Sequence, residues 1–181
     1  MIKFILAFLL LTFTNMLLGQ EIRKEIVNAA TSFDQRANSD TVPDAYAINS
    51  HFDRILVVRL KHQSDLLSGM ETMVRLENFR NAVILSAIGS VRNYRYHTVS
   101  NRTFPTRNVF VENPTGPADI TSMNGYVIGG RLHAHVTFAD STGAFGGHLE
   151  MGTTVFTFAI VTFGILGENA DLGRADDKTY R

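Results

Sequence analysis

The alternation of apolar and polar residues predicts a chain built mostly of strands. Near the N-terminus, residues 21–33 (EIRKEIVNAATSF) place apolar residues at helical spacing between charges, which predicts a short amphipathic helix. Residues 34–51 are polar and are expected to form a loop. Residues 54–62 (RILVVRLKH) are rich in β-branched side chains and predict a strand.

One further helix is predicted in the region of residue 70. Ser68 and Glu71 form the S-x-x-E pair that is typical of a capping box at a helix start. Met70, Met73 and Val74 then supply an apolar stripe on a helix of about ten residues. We interpret this methionine-bearing stripe as core packing rather than as a cofactor site.

The remainder of the chain carries strand patterns. Residues 81–99 begin as an apolar run, which predicts a strand buried on both faces, and Gly89 within it indicates a bulge or a close backbone approach. A short strand is expected at Val109–Val111, inside a proline-bearing loop. Four β-patterned runs follow from Asp119 onward, with turn residues between them.

The last of these runs, residues 153–163 (TTVFTFAIVTF), is apolar at nearly every position. Such a strand needs cover on both faces. We expect helices of the domain on one face, and another part of a barrel or a partner subunit on the other.

The first twenty residues form a separate segment. Lys3 precedes an apolar run from Phe4 to Phe13, and small or polar residues follow at Gly19 and Gln20, which is the layout of a secretory signal peptide. The run is shorter than the ~20 residues of a membrane-spanning helix. We therefore expect an exported protein, periplasmic or secreted, with no membrane span after signal removal. An uncleaved N-terminal anchor is the alternative.

Composition narrows the class of protein. A chain of 181 residues with 45% hydrophobic content suits one domain with a sizeable core. The 17 basic residues equal the 17 acidic ones, so nucleic acid is an unlikely partner, because non-specific binding depends on clustered Lys and Arg. The absence of cysteine excludes disulfides, thiolate metal sites and cysteine nucleophiles.

Three of the six histidines lie close together, at His133, His135 and His148. On a strand, alternate side chains share a face, so the H-x-H pair should project together while Ala134 points to the core. Residues 140–143 (DSTG) predict a turn that brings His148 back beside the pair. Three imidazoles so placed suit a metal ion with one open coordination position, and zinc is the first choice.

Other roles for these histidines stay open. Any one of them alone is also compatible with a surface polar residue, or with a hydrogen bond across a subunit interface. By motif position, Asp140, Glu150 and His97 are candidate acid or base groups beside a metal. Arg92 and Arg95 are candidates for binding an anion, although a solvated strand edge explains them as well.

The run from Asp119 to Phe163 resembles the second half of the plants and prokaryotes conserved (PPC) domain, the C-terminal domain of plant AT-hook nuclear-localized proteins. The shared features are an L-H-x-H strand, a D-x-x-G-type turn, G-G-H-L, a glycine turn and a long apolar strand. Here these are residues 132–135, 140–143, 146–149, Gly152 and 155–163.

The resemblance implies a compact α/β (α+β) fold with a mainly antiparallel, barrel-like sheet, assembled as a homotrimer. It covers roughly residues 53–180, which gives a signal peptide (1–20), an N-terminal extension (21–52) and a PPC-like domain (53–181). It also implies that His133, His135 and His148 match positions that hold a metal in some prokaryotic members. The chain has no R-G-R-P hook and no basic run, so the DNA binding of the plant proteins does not carry over.

Three functions follow as expectations. The first is a three-histidine zinc site that binds a small molecule or supports metal-assisted hydrolysis or hydration. The second is a non-enzymatic trimeric assembly module, and DNA association by analogy to the plant members is a third. The sequence does not decide whether the protein is an enzyme.

Overall fold

The computed structural model describes residues 21–176, so the predicted signal peptide lies outside the described residues. Eight strands and one α-helix make up the described chain. In chain order they are β1 (Ile22–Val27), β2 (Phe52–Lys61), α1 (Leu66–Leu76), β3 (Ala82–Val99), β4 (Arg107–Asn113), β5 (Ala118–Ile128), β6 (Arg131–Asp140), β7 (Gly143–Leu149) and β8 (Thr154–Leu166), followed by a 3-10 helix (Leu172–Asp176).

The long strand β3 organises the sheet because it pairs along both of its edges. It pairs antiparallel with β5, which pairs with β6, which pairs with β7. β7 then returns to β3 through the register pairs Tyr96↔Leu149 and His97↔His148. These four strands close into a ring, so the predicted mainly antiparallel, barrel-like fold is confirmed.

The other strands extend this ring. β8 pairs with the first half of β3 and with β2, and β4 joins the second half of β3 to β1. Among residues 21–176, no helix has the length and apolar composition needed to cross a membrane.

The core lies inside the ring and under α1. Phe138 and Phe163 are fully buried, and the α1 residues Leu66, Met70 and Val74 pack into the same cluster. Burial of each such side chain stabilises the fold by roughly 1.5–3 kcal/mol. The interpretation of the methionine stripe as core packing is therefore confirmed for Met70.

The start of α1 differs from the capping-box prediction. Asp65 is the N-cap, and its Oδ1 accepts a hydrogen bond from Ser68 N at 2.8 Å. Ser68 therefore lies inside the first turn, and the prediction that Ser68 and Glu71 form a capping box is wrong. Asp65 is favoured because its Oδ2 also accepts from Gly152 N at 2.7 Å, which ties the helix to the turn before β8.

The prediction of a helix over residues 21–33 is wrong. Ile22–Val27 is a strand that pairs along its whole length with β4, and its residues are exposed. Apolar spacing cannot place a helix where no face is buried, and the backbone hydrogen bonds to β4 stabilise the extended form instead. The polar segment 34–51 forms turns and irregular structure, as predicted.

The strand predicted over residues 54–62 is confirmed as β2, and the strand predicted at Val109–Val111 lies within β4. The sequence predicts that the first half of β3 is buried on both faces. In the single chain this prediction is wrong, since Leu85 and Ile88 are 45% and 56% exposed. Gly89 does allow a close approach, because a Cβ there would lie 2.3 Å from Phe158 O.

Candidate metal centre

The hairpin of β6 and β7 forms at the predicted turn. Asp140 Oδ1 accepts hydrogen bonds from Thr142 N at 2.7 Å, Thr142 Oγ1 at 2.6 Å and Gly143 N at 3.2 Å. The Thr142 hydroxyl and backbone donors lower the pKa of Asp140. Its carboxylate therefore stabilises the turn, and the structure does not bring it into the histidine cluster.

The H-x-H pair projects from the outer face of β6, as the alternation predicts. Ala134 and Val136 are buried, whereas His133 and His135 are exposed. The two imidazole planes lie 3° from parallel with ring centres 5.2 Å apart. Both side chains are thus directed to the same region outside the barrel wall.

The Nε2 atoms of His133 and His135 lie 3.1 Å apart. Without a metal, one nitrogen must donate to the other, so the two rings must adopt different tautomers. Two nitrogens bound to one tetrahedral ion at about 2.0–2.1 Å lie roughly 3.3–3.4 Å apart. The pair therefore already has close to the spacing that a shared ion requires.

His148 completes the group from the neighbouring strand. It lies directly opposite His135 in the β6–β7 register, and its ring centre is 4.6 Å from that of His133 and 5.4 Å from that of His135. One ring nitrogen from each histidine lies within 4.8 Å of the other two. The structure thus brings the three predicted residues together.

Two glycines let β7 approach both neighbouring strands. A Cβ at Gly146 would lie 2.0 Å from Val136 O on β6, and one at Gly147 would lie 2.4 Å from His97 O on β3. Any side chain at either position would push β7 away from its neighbours. The G-G-H sequence therefore sets His148 between β6 and β3.

The environment favours the neutral, metal-binding form of two of the rings. Burial, with smaller contributions from the neighbouring His97 and His133, lowers the pKa of His148 to about 4. Burial also lowers the pKa of His135, with a smaller effect from His133. A metal competes with protons for these nitrogens, so lowered pKa values favour binding near neutral pH.

Two residues of the cluster were predicted only as acid or base candidates. His97 lies opposite His148 across β3 and β7, with ring centres 4.4 Å apart. Its Nδ1 donates to Glu150 Oε1 at 2.6 Å. His97, His148 and Glu150 also form a group whose ligand atoms all lie within 4.8 Å of one another. Sequence spacing gives no signal for this contact, because it depends on the β3–β7 register.

The arginine candidates lie elsewhere. Arg95 Nε is 3.9 Å from Glu112 Oε2 on β4, and Arg92 is exposed on its strand. The structure places neither in the histidine group, which favours the solvated strand edge over an anion site.

A cavity of about 1110 Å³ reaches the cluster at His133. It lies between α1, the β5–β6 hairpin and the C-terminal 3-10 helix. Its polar lining includes Glu71 and Arg75 from the helix and Arg131 from β6, and its apolar lining includes Ile128 and Leu172. Space for a small molecule therefore lies beside His133.

Comparison with known proteins identifies the class. The model of the Plants and Prokaryotes Conserved (PCC) domain matches residues 48–166, and the chain belongs to this family, the one also abbreviated PPC. No curated protein matches the sequence significantly.

Solved structures share the fold. A metal-containing protein from Archaeoglobus fulgidus is 23% identical, with a TM-score of 0.58, over 68% of this chain and 88% of its own. A plant- and prokaryote-conserved protein from Pyrococcus horikoshii is 22% identical, with a TM-score of 0.55, over 68% and 87%. A candidate DNA-binding protein from Bacteroides thetaiotaomicron is 14% identical, with a TM-score of 0.52, over 64% and 83%.

Proposed function

We propose that this protein binds a divalent transition-metal ion, zinc in the first instance, through His133, His135 and His148. The observation that carries the proposal is the 3.1 Å separation of the His133 and His135 Nε2 atoms on one face, with His148 opposite them. The description of the Archaeoglobus fulgidus protein as metal-containing supports it.

Three protein ligands leave a coordination position for water or a small molecule. A zinc ion in such a site acts as a Lewis acid and lowers the pKa of a water ligand toward ~7. The two exposed histidines leave that position accessible from outside the barrel, and the cavity beside His133 offers room for the rest of a ligand. We therefore propose small-molecule binding, or metal-assisted hydrolysis or hydration, as the use of the site.

Metal analysis of untagged protein tests this proposal. We expect purified protein to hold a transition metal, and the double variant His133→Ala with His135→Ala to lose it. His62→Ala is the matched control, since His62 is exposed and lies outside the cluster. Equal metal content and zinc affinity in the double variant and the control would rule out the three-histidine site.

A second candidate function, a trimeric assembly module, rests on the outer face of β2, β8 and β3. Ile55, Val57 and Ile88 are each more than half exposed, and Phe156, further along β8, is 48% exposed. Exposed apolar side chains gathered on one face of a sheet are typical of an interaction site. We expect a trimer by light scattering, and dissociation on Ile88→Asp but not on Leu76→Asp, which alters an exposed leucine on α1. A monomeric wild-type chain would exclude assembly.

Export is proposed from the N-terminal twenty residues alone. A reporter fused to residues 1–25 should be exported from the cytoplasm if they form a signal peptide. The description of the Bacteroides thetaiotaomicron protein favours DNA as an alternative partner, whereas the equal counts of acidic and basic residues disfavour it. A reporter retained in the cytoplasm, together with DNA binding by the purified protein, would support that alternative over export.

A further inference from the structure

The lateral order of the strands places His148 between two separate sets of potential ligands. β7 lies between β6 and β3, and His148 is the register partner of His135 on one side and of His97 on the other. Directly opposed residues in antiparallel strands point to the same face, and neighbouring strands lie about 4.7–4.9 Å apart. The imidazole of His148 is thus central in a row of three.

The side of the row toward β3 has its own donor set. Glu150 follows His148 by two residues, and its backbone N donates to Arg95 O, which continues the β7 alignment along β3. Its carboxylate contacts His97, and the side chains of His97 and Glu150 are 19% and 26% exposed. Phe110 packs against the His97 ring with 4.9 Å between ring centres, which restricts the ring's orientation.

We propose that His97, His148 and Glu150 form a second divalent-cation position, which shares the imidazole of His148 with the three-histidine site. The inference rests on the proposed function, because the shared His148 ring would give one of its two nitrogens to each ion. The result is a dinuclear centre on one face of three adjacent strands, with two histidines on one side of His148 and a histidine and a carboxylate on the other.

The proposed chemistry balances in charge and protons. A second ion would take the remaining ring nitrogen of His148 in exchange for its N–H proton, which would pass to solvent, and the resulting imidazolate would be shared by the two cations. The anionic ring and the Glu150 carboxylate both offset the repulsion between the ions. In a neutral His97 ring the Nδ1 proton would move to Nε2, which would leave the Nδ1 lone pair for the ion. The 2.6 Å contact with Glu150 Oε1 would then lengthen to roughly 3.3–3.5 Å, the separation of N and O ligands on a tetrahedral ion.

Metal stoichiometry tests the inference. Metal-free, untagged protein is titrated with Zn²⁺ by calorimetry, and bound metal is counted after gel filtration. We expect two equivalents per chain for the wild type and one for Glu150→Gln, which keeps the shape of the side chain but removes its charge. Saturation of the wild type at one equivalent would overturn the second position.

The matched control is Glu112→Gln, which removes a carboxylate from the neighbouring strand β4 beside Arg95. It should keep both equivalents. The double variant His133→Ala with His135→Ala distinguishes the two proposals. If it loses the more tightly bound equivalent of Zn²⁺, the three-histidine site is supported. If it keeps that equivalent, the three-histidine site is excluded. If Glu112→Gln and Glu150→Gln weaken Zn²⁺ binding equally, the loss of affinity comes from the lost negative charge in general, and the second position is excluded.

Copper tests the shared ring directly. Two Cu²⁺ ions joined by one imidazolate couple their unpaired spins, so the EPR signal should grow with the first equivalent and decline with the second. A signal that doubles at two equivalents would show two independent ions and would overturn the bridge. Circular dichroism of each variant establishes that the sheet is retained.

Discussion

His135 and His148 face each other across β6 and β7, although twelve residues and a turn separate them in the chain. This pairing converts a local H-x-H motif into a site with three nitrogens. It depends on the turn that Asp140 stabilises and on the glycines that precede His148.

His135→Ala should weaken zinc binding at least tenfold. Even outer partners of metal ligands contribute about 10–100-fold to affinity, and His135 is proposed to contact the ion itself. Competition with a chromogenic chelator measures the change. The control is Thr137→Ala, on the same face of β6 but outside the cluster, and an unchanged affinity for His135→Ala would contradict the ligand assignment.

The stability of the metal-free protein should rise with pH between about 4 and 6.5. The pKa of His148 is lowered to about 4 in the folded state, whereas an unfolded histidine titrates near ~6.5. Between these values the unfolded chain binds more protons, so stability falls as the pH falls through this window and is constant above it. Thermal unfolding in the presence of a chelator measures this trend, and His148→Gln should flatten it. An equally steep trend in that variant would assign the effect to other groups.

Gly147→Ala should destabilise the fold by roughly 1–3 kcal/mol, the usual cost of overpacking. The added Cβ would lie 2.4 Å from His97 O and 2.8 Å from Thr98 Cγ2. Gly173→Ala is the comparison, since its Cβ would meet only Asp171 Oδ1 at 3.4 Å. Chemical denaturation measures both, and zinc affinity should fall with Gly147→Ala alone. Equal stability of the two variants would show that β7 is not held so closely to β3.

Asp65→Ala should cost about 1–2 kcal/mol of stability, the range for a lost helix N-cap. Asp65 accepts hydrogen bonds from Ser68 N and Gly152 N, so its removal leaves two donors without that partner. Ser68→Ala should change stability by less than about 0.5 kcal/mol. Urea unfolding measures the free energy of unfolding of the two variants. A larger loss for Ser68→Ala than for Asp65→Ala would support the capping box predicted from the sequence.

The part of the site that local sequence determines could be predicted. An H-x-H pair on a strand, a four-residue turn and a returning G-G-H specify their own geometry, because side-chain alternation and hairpin register act over a few residues. The strand character of most of the chain follows from the same local alternation. The three histidines therefore meet as expected.

The errors lie where distant contacts decide the outcome. Residues 22–27 form a strand because β4 is available as a partner, and the start of α1 is set by a contact between Asp65 and Gly152. Likewise, His97 reaches His148 only through the pairing of β3 with β7. No spacing in one sequence encodes these three relationships.

The closure of the strand ring between β7 and β3 consists of only two register pairs, and one of them is His97↔His148. The shortest pairing in the ring therefore lies where the second proposed ion would bind, between His97 on β3 and His148 on β7. An ion at 100 times its Kd adds about 2.7 kcal/mol to the stability of the state that binds it. Binding of this ion would thus hold β7 against β3, and the metal-bound and metal-free proteins would differ in how readily these two strands separate.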